Sequence, residues 1–97
     1  MSAKEHGRGK SWTDIVVEAL KSLGAEQKAV LIQEIYDAVR KIAPSMCDDR
    51  NIYTHVRGNV SRSEPRWKKS VRNALHTLKR RGLVTHLRTG LWKLADT

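Results

Sequence analysis

The chain has 97 residues, of which 39% are hydrophobic, enough for one small core but not for a two-domain enzyme with a deep cleft. Its formal net charge at pH 7 is +9, and a compact domain with so much like charge repels itself unless a polyanion relieves the repulsion. Nucleic acid is therefore the first partner class to consider. A lone cysteine, Cys47, precludes an intrachain disulfide and favours a reducing compartment.

The charge is distributed unevenly along the chain. Residues 1–10 are basic and lack periodicity, which predicts a flexible basic tail followed by one domain over residues 11–97. Residues 11–46 carry a net charge of −1, whereas residues 47–97 carry +8. We therefore expect the first half of the domain to be scaffold and the second half to be the binding surface. No apolar run is long enough to span a bilayer and no signal peptide is evident, so we expect a soluble, cytoplasmic, DNA-associated protein without membrane contact.

Two helices are predicted in the first half of the domain. The first begins after Ser11, a typical N-cap with Asp14 in the capping-box position, and ends at Gly24, which tolerates the left-handed conformation of a helix stop. Its apolar positions at helical spacing are Trp12, Ile15, Val16, Ala19, Leu20 and Leu23. The second helix begins at Ile32 and ends before Pro44, because the residue before a proline avoids the helical region.

The segments around the second helix are shorter and less regular. Residues 29–31 are compatible with a very short strand that pairs with a later hairpin. Residues 45–63 contain a predicted turn at residues 47–50 and a break at Gly58-Asn59. Between them, residues 52–56 are compatible with one turn of helix or with an irregular loop, and the short extra helix near Ile52 is the expectation, since nineteen residues are long for a structureless loop.

The third predicted helix combines an apolar face with a cationic one. Ser63-Glu64-Pro65 is expected to open it, because proline fits a first turn and an acid there complements the helix dipole. The inward positions are Trp67, Val71, Ala74, Leu75 and Leu78. The outward positions are Lys69, Arg72, Asn73, His76 and Arg80, with Lys68 and Lys79 on the flank. From Arg62 to Arg81, eight Lys and Arg residues are accompanied by a single acid, Glu64.

After this helix, Gly82 leads into residues 83–87 and 91–94, two apolar segments joined by the turn Arg88-Thr89-Gly90, which predicts a β-hairpin. Trp92 and Leu94 share one strand face and are expected in the core. A basic third helix followed by a hairpin predicts an α+β winged helix-turn-helix, with three main helices and the C-terminal β-hairpin as the wing.

These positions suggest separate roles in binding double-stranded DNA. The major groove admits an α-helix, in which Arg or Lys pairs with guanine and Asn with adenine. The predicted base contacts are Lys69, Arg72, Asn73 and His76. The predicted phosphate contacts are Arg62, Arg66, Lys68, Lys79 and Arg80. At the wing tip, Arg88 and Thr89 are expected to contact the backbone or a minor groove.

Metal and catalytic chemistry find little support in the sequence. The four histidines and one cysteine lack zinc-finger spacing, so we expect no metal and no cofactor. Residues 26–28 match a Glu-x-Lys nuclease fragment, but no upstream acid lies on a suitable strand, and no Ser-His-Asp or Cys-His arrangement is evident. We therefore expect this chain by itself not to be an enzyme.

Several motifs taken together resemble a known family. They are WTDIV at 12–16, IY at 35–36, PRWKKSVRNAL at 65–75, LKRRGLV at 78–84 and RTGLWKL at 88–94. They resemble the winged-helix domains attached to modification-dependent restriction endonucleases, such as the N-terminal domain of Mrr-type enzymes, over residues 12–94. The resemblance implies double-stranded DNA recognition through the third helix and the wing, sensing of N6-methyladenine in some members, and a nuclease domain or partner protein in the same restriction system.

A pocket for a methylated base would need an apolar or aromatic wall. Tyr53, Trp67 and Trp92 are the aromatic residues near the basic half, and we expect them to be core or loop residues rather than such a wall. Two other functions stay open: a protein-interaction module that binds an acidic partner, and RNA binding, which the scarcity of aromatic residues disfavours.

Overall fold

The computed structural model describes residues 11–95, so the predicted tail at residues 1–10 lies outside the described residues. In chain order the elements are α1 (Trp12–Ser22), β1 (Val30–Leu31), α2 (Ile32–Ile42), a 3-10 helix (Pro44–Met46), β2 (Ile52–Arg57), β3 (Val60–Pro65), α3 (Arg66–Arg80), β4 (Val84–Arg88) and β5 (Leu91–Leu94). The described chain is therefore α+β, with three α-helices, an antiparallel sheet of order β1-β5-β4 and a separate β2–β3 hairpin. This layout is compatible with a winged helix.

Local signals place the ends of α1 where the sequence predicts them. The Ser11 hydroxyl accepts a hydrogen bond from the Asp14 backbone N–H at 3.2 Å, and the Asp14 carboxylate accepts one from the Ser11 N–H at 3.4 Å. This reciprocal pair is the expected capping box. Gly24 follows the helix with a φ of 76°, which confirms the predicted left-handed stop.

One face of each helix and the inner side of the three-stranded sheet form a single core. α1 packs against both α2 and α3. The largest fully buried side chains are Ile15, Val16, Leu20, Val30, Ile35, Val39, Val71, Leu75 and Leu78. Each contributes about 1.5–3 kcal/mol by leaving water, so this core holds α3 with its apolar face inward.

The short predicted strand at residues 29–31 is confirmed as β1, which pairs with β5. The turn between β4 and β5 is also as predicted, with Gly90 at a φ of 75°. The backbone carbonyl of Gly90 accepts a hydrogen bond from the N–H of Ile32 at 2.8 Å. This hydrogen bond holds the tip of the predicted wing beside the first residue of α2.

Two expectations about residues 52–65 are wrong. The segment near Ile52, expected to be a short helix, is strand β2, and Ser63-Glu64-Pro65, expected to open α3, ends strand β3. The reason is the two-residue turn at Gly58-Asn59, in which Gly58 has a φ of 63° that favours glycine and lets the strands fold back on each other. Helix α3 therefore begins at Arg66.

The predicted turn at residues 47–50 is present and leads into this hairpin. The Asp48 carboxylate accepts a hydrogen bond from the Arg50 N–H at 2.9 Å, as polar turn residues often do. Across the base of the hairpin, the Asn51 carbonyl accepts a hydrogen bond from the Arg66 N–H at 2.8 Å. Of the helices in residues 11–95, none is long and apolar enough to cross a membrane.

Candidate nucleic-acid interface

Helix α3 has the two faces that the sequence predicts. The five positions expected to point inward are all buried: Trp67, Val71, Ala74, Leu75 and Leu78. Asn73, His76, Lys79 and Arg80 are exposed, and Lys69 is half-buried. The burial of the apolar face thus turns a polar and cationic ridge towards solvent.

The exposed cations of this region keep their positive charge. The side chains of Lys79 and Arg62 have no hydrogen bond or ion pair with a residue in the 11–95 range, and within that range the Arg80 guanidinium has one hydrogen bond, to the Thr77 hydroxyl at 3.4 Å. The one acid within residues 62–81 is Glu64. No other carboxylate from this stretch is available to neutralise the ridge, so an external anion is favoured there.

Arg72 departs from its predicted place as a solvent-facing base reader. Its guanidinium donates hydrogen bonds to the Glu64 carboxylate at 2.7 and 2.5 Å and to the Tyr36 hydroxyl at 3.1 Å, and its side chain is only 33% exposed. The imidazole of His55 contacts the same carboxylate. Arg72 is therefore paired with Glu64 of the same chain, and its contacts with Glu64 and Tyr36 connect α2, α3 and β3.

This cluster also changes the acid–base properties of its members. The hydrogen bonds from Arg72 lower the pKa of Glu64 from 4.5 to about 2, with a smaller contribution from His55. In turn, the hydrogen bond to Glu64 raises the pKa of Arg72. Both groups are charged at neutral pH, and the pair is a charge-assisted hydrogen bond of the stronger kind.

Three other predicted contact residues lie over aromatic rings. The Lys69 ammonium is 4.8 Å from the centroid of the Tyr53 ring, and the Arg66 guanidinium carbon is 5.1 Å from the same centroid. The Lys68 ammonium is 5.2 Å from the Tyr36 ring. Cation–π contacts orient these side chains without cancelling their charge. Arg66 is exposed, and Lys68 and Lys69 are half-buried.

A second polar cluster, which the sequence did not reveal, anchors the N-terminal end of α3. The Asp49 carboxylate accepts hydrogen bonds from the Trp67 indole N–H at 2.9 Å and from Arg40 at 2.9 and 3.4 Å. The hydrogen bonds from Arg40 and then from Trp67 lower the pKa of Asp49. This cluster fixes the turn at residues 47–50 against α2 and α3, and with it the base of the hairpin that follows.

The sheet contacts the second half of α3 through stacked rings. The His86 and Trp92 rings are parallel, with centroids 4.0 Å apart, and the His76 ring meets Trp92 edge-on at 5.6 Å. His76, a predicted base contact, is exposed but held by this stack. At the tip of the β4–β5 hairpin, Arg88 and Thr89 are exposed, as predicted for a wing.

The aromatic residues considered for a methyl pocket are divided by the structure. Trp67 is 3% exposed and Trp92 4% exposed, so both belong to the core, as expected. Tyr53 is half-buried on β2, beneath the cations of Arg66 and Lys69. Tyr53 is thus the one member of the three that a ligand at the surface can approach.

An open groove of about 620 Å³ separates the β2–β3 hairpin from α3. Its lining residues are His55, Arg57, Val60, Arg62, Ser63, Glu64 and Arg72. Because both oxygens of Glu64 already accept hydrogen bonds, the groove presents Arg57 and Arg62 as uncompensated cations. No group of three His, Cys, Asp or Glu residues in the described range is arranged to hold a metal ion.

Comparisons of this chain with protein-family models, with curated protein sequences and with solved structures found no significant match. The fold and the site define a small α+β domain with a cationic helix face.

Proposed function

We propose that this chain is a winged-helix module that binds double-stranded DNA, with α3 in the major groove and the β4–β5 wing on a neighbouring groove or on the phosphate backbone. The observation that carries the proposal is the outward face of α3, where exposed cations have no acidic partner among the described residues. The order of helices and strands and the β1-β5-β4 sheet support the winged-helix assignment.

The structure supports a narrower division of roles than the sequence did. Asn73 is exposed at the middle of α3, and its side chain forms no hydrogen bond with a residue in the 11–95 range, so its side-chain amide is free to pair with adenine. Lys69 and His76 flank it one turn away on the same face. Arg72 is assigned to holding the fold, because a bidentate contact with guanine would require it to leave Glu64.

The phosphate contacts are proposed for the cations around this centre. They are Arg62, Arg66, Lys68, Lys79 and Arg80, with Arg88 and Thr89 on the wing. Such contacts hold the duplex in register without reading its sequence. The family resemblance further suggests that the module belongs to a restriction system and senses a methylated base. Tyr53 is the aromatic side chain that we would assign to contact with that base.

The proposal is tested by fluorescence anisotropy with a labelled 30-base-pair duplex over a series of salt concentrations. Six to eight phosphate contacts imply that log K falls with log salt with a slope of roughly −5 to −7. Binding that ignores salt, or no binding at low salt, would end the proposal. Stronger binding to single-stranded RNA or to an acidic peptide of equal charge would favour one of the other two functions.

Specificity is tested with duplexes that differ in sequence and in adenine methylation. A generic polyanion such as heparin competes for any cationic surface, so competition by heparin does not discriminate between DNA and an acidic protein. A preference for one duplex over another of equal length and charge does discriminate, because it requires contact with base edges.

A further inference from the structure

We propose that the β2–β3 hairpin is a second DNA-binding arm, and that the groove between it and α3 holds a segment of the phosphate backbone. This inference rests on the proposed duplex binding and adds an element beyond the third helix and the wing. It assigns a role to Arg57, which has no other function in the site, and a specific place to Arg62.

The hairpin has the dimensions of an arm. Its strands Ile52–Arg57 and Val60–Pro65 have six residues each, about 20 Å when extended, and they pair only with each other. The β4–β5 hairpin is shorter, and its tip is tied to the start of α2 through Gly90 and Ile32. The longer and more exposed hairpin is therefore β2–β3 rather than the predicted wing.

The charges of the hairpin all lie on one face. Residues directly opposite each other in an antiparallel pair share a face, and His55 is opposite Arg62 while Arg57 is opposite Val60. This face is the one that contacts α3, because Glu64, two residues from Arg62, binds Arg72. The other face is uncharged and consists of Ile52, Thr54, Val56, Ser61, Ser63 and Pro65.

Solvation alone does not require the charged side chains of the hairpin to lie on one face. A two-stranded hairpin with both faces exposed can carry its charges on either side, yet Arg57 and Arg62 both line the groove beside α3. Among the residues that line this groove the acid is Glu64, whose charge is paired with Arg72 and whose carboxylate also contacts His55. A chain of monoanionic phosphodiesters is the ligand that matches two cations on neighbouring strands of one hairpin face, beside the cationic ridge of α3.

The ion pair between Arg72 and Glu64 acts as a positioning contact for this arm. An isolated two-stranded hairpin is at best marginally stable in water. The Glu64 carboxylate on β3 and the Tyr53 ring on β2 are both fastened to α3, the latter through Lys69. The groove therefore has a defined shape before DNA arrives, which lowers the ordering cost of binding.

The test compares salt slopes of the wild type and of the double variant Arg57→Ala/Arg62→Ala on the same 30-base-pair duplex. Loss of two phosphate contacts is expected to make the slope less negative by about 1.8. Hydroxyl-radical footprinting is expected to lose protection at one end of the bound site. The conservative double variant Arg57→Lys/Arg62→Lys should retain the wild-type slope.

The matched control is Lys21→Ala/Lys41→Ala, which removes the same charge from exposed positions at the ends of α1 and α2. Its slope is expected to stay within about 0.5 of the wild type, since long-range charge alone supplies little beyond a Debye length. If the wild type binds duplex with the expected slope but the arm and control variants behave alike, the arm is refuted and the proposed function stands. If the wild type shows no salt-dependent duplex binding, both proposals fail. In each case the replaced side chains are exposed and have no hydrogen bond or ion pair with a residue in the 11–95 range. A thermal melt within a few degrees of the wild type verifies folding.

Discussion

The guanidinium of Arg72 donates two hydrogen bonds to the carboxylate of Glu64, at 2.7 and 2.5 Å, and so joins α3 to the last strand of the β2–β3 hairpin. The two residues are eight positions apart, but the chain changes from strand to helix between them at Arg66. This contact removes one arginine from the proposed DNA-reading face and uses it to orient an element that presents two others, Arg57 and Arg62.

Stability should depend on pH through Glu64. The pKa of this carboxyl is lowered from 4.5 to about 2 in the folded protein, chiefly by Arg72. Its stabilising contribution is therefore complete above pH 4.5, declines as the pH falls from 4.5 to 2, and is absent below that. We expect Glu64→Gln to lower the free energy of unfolding by about 1–2 kcal/mol at pH 7, after allowance for solvent screening.

Urea unfolding of wild type and Glu64→Gln at pH 7 and at pH 2.5 measures this difference, which should shrink at the lower pH. Asp37→Asn is the control, since Asp37 is exposed and no described residue donates a hydrogen bond to it. A difference between wild type and Glu64→Gln that is the same at both pH values would contradict the assigned pKa.

Arg72→Ala should reduce stability more than binding specificity. Removal of the guanidinium leaves Glu64, a half-buried carboxylate, with His55 as its remaining partner, and we expect a loss of about 1–3 kcal/mol in urea unfolding. Amide shifts in a ¹H-¹⁵N spectrum should concentrate in β2 and β3. Lys79→Ala, an exposed position on the same helix, should stay within about 0.5 kcal/mol. An Arg72→Ala protein as stable as the wild type that has lost its sequence preference would restore Arg72 as a base reader.

Variants of Asn73 and Lys79 should distinguish contacts with base edges from contacts with phosphates. We expect Asn73→Ala to cost about 1–3 kcal/mol on the preferred duplex and little on others, because the Asn73 side-chain amide is proposed to contact base edges, whereas Lys79 is proposed to contact phosphate. Lys79→Ala should weaken all duplexes about equally and make the salt slope less negative by about 0.9. Anisotropy titrations of both variants against a preferred and a scrambled duplex provide the comparison. The assigned roles are wrong if the two variants respond in the same way.

His86→Phe should stabilise the protein. The Nε2 atom of His86 is buried and has no hydrogen-bond partner among the described residues, whereas its ring stacks on Trp92 with an interplanar angle of 9°. Phenylalanine retains the stacking and removes the unsatisfied polar atom, for an expected gain of about 1 kcal/mol. Thermal unfolding followed by far-UV circular dichroism gives the answer. A lower melting temperature would indicate that Nε2 has a partner in solution, such as water.

Periodicity was sufficient to predict most of the scaffold. The three helices, the Ser11 cap, the stop at Gly24, the short β1 strand and the β4–β5 hairpin were all predicted close to their observed bounds. These features depend on local conformational preferences and on a buried face that repeats every 3.6 or 2 residues, and both leave a direct trace in the order of residues.

The β2–β3 hairpin was missed because neither of its faces is deeply buried, so no strong alternation of apolar and polar residues marks its strands. The available signal was Gly58-Asn59, two turn residues between Val56-Arg57 and Val60-Ser61, a combination typical of a tight hairpin. The same two residues also interrupt a helix, so by themselves they do not distinguish a break from a hairpin turn.

By itself the sequence determined the α+β composition, the inward face of α3 and the excess of positive charge in the second half of the chain. Each of these follows from residue types and their spacing. The tertiary structure alone decided which cations remain available, because an arginine on the outward arc of a helix is free only if no distant carboxylate is folded onto it. Because β3 folds back along β2, Glu64 forms an ion pair with Arg72, and Arg57 and Arg62 line the groove. Such pairing depends on chain reversal at a turn, and the helical period carries no information about it.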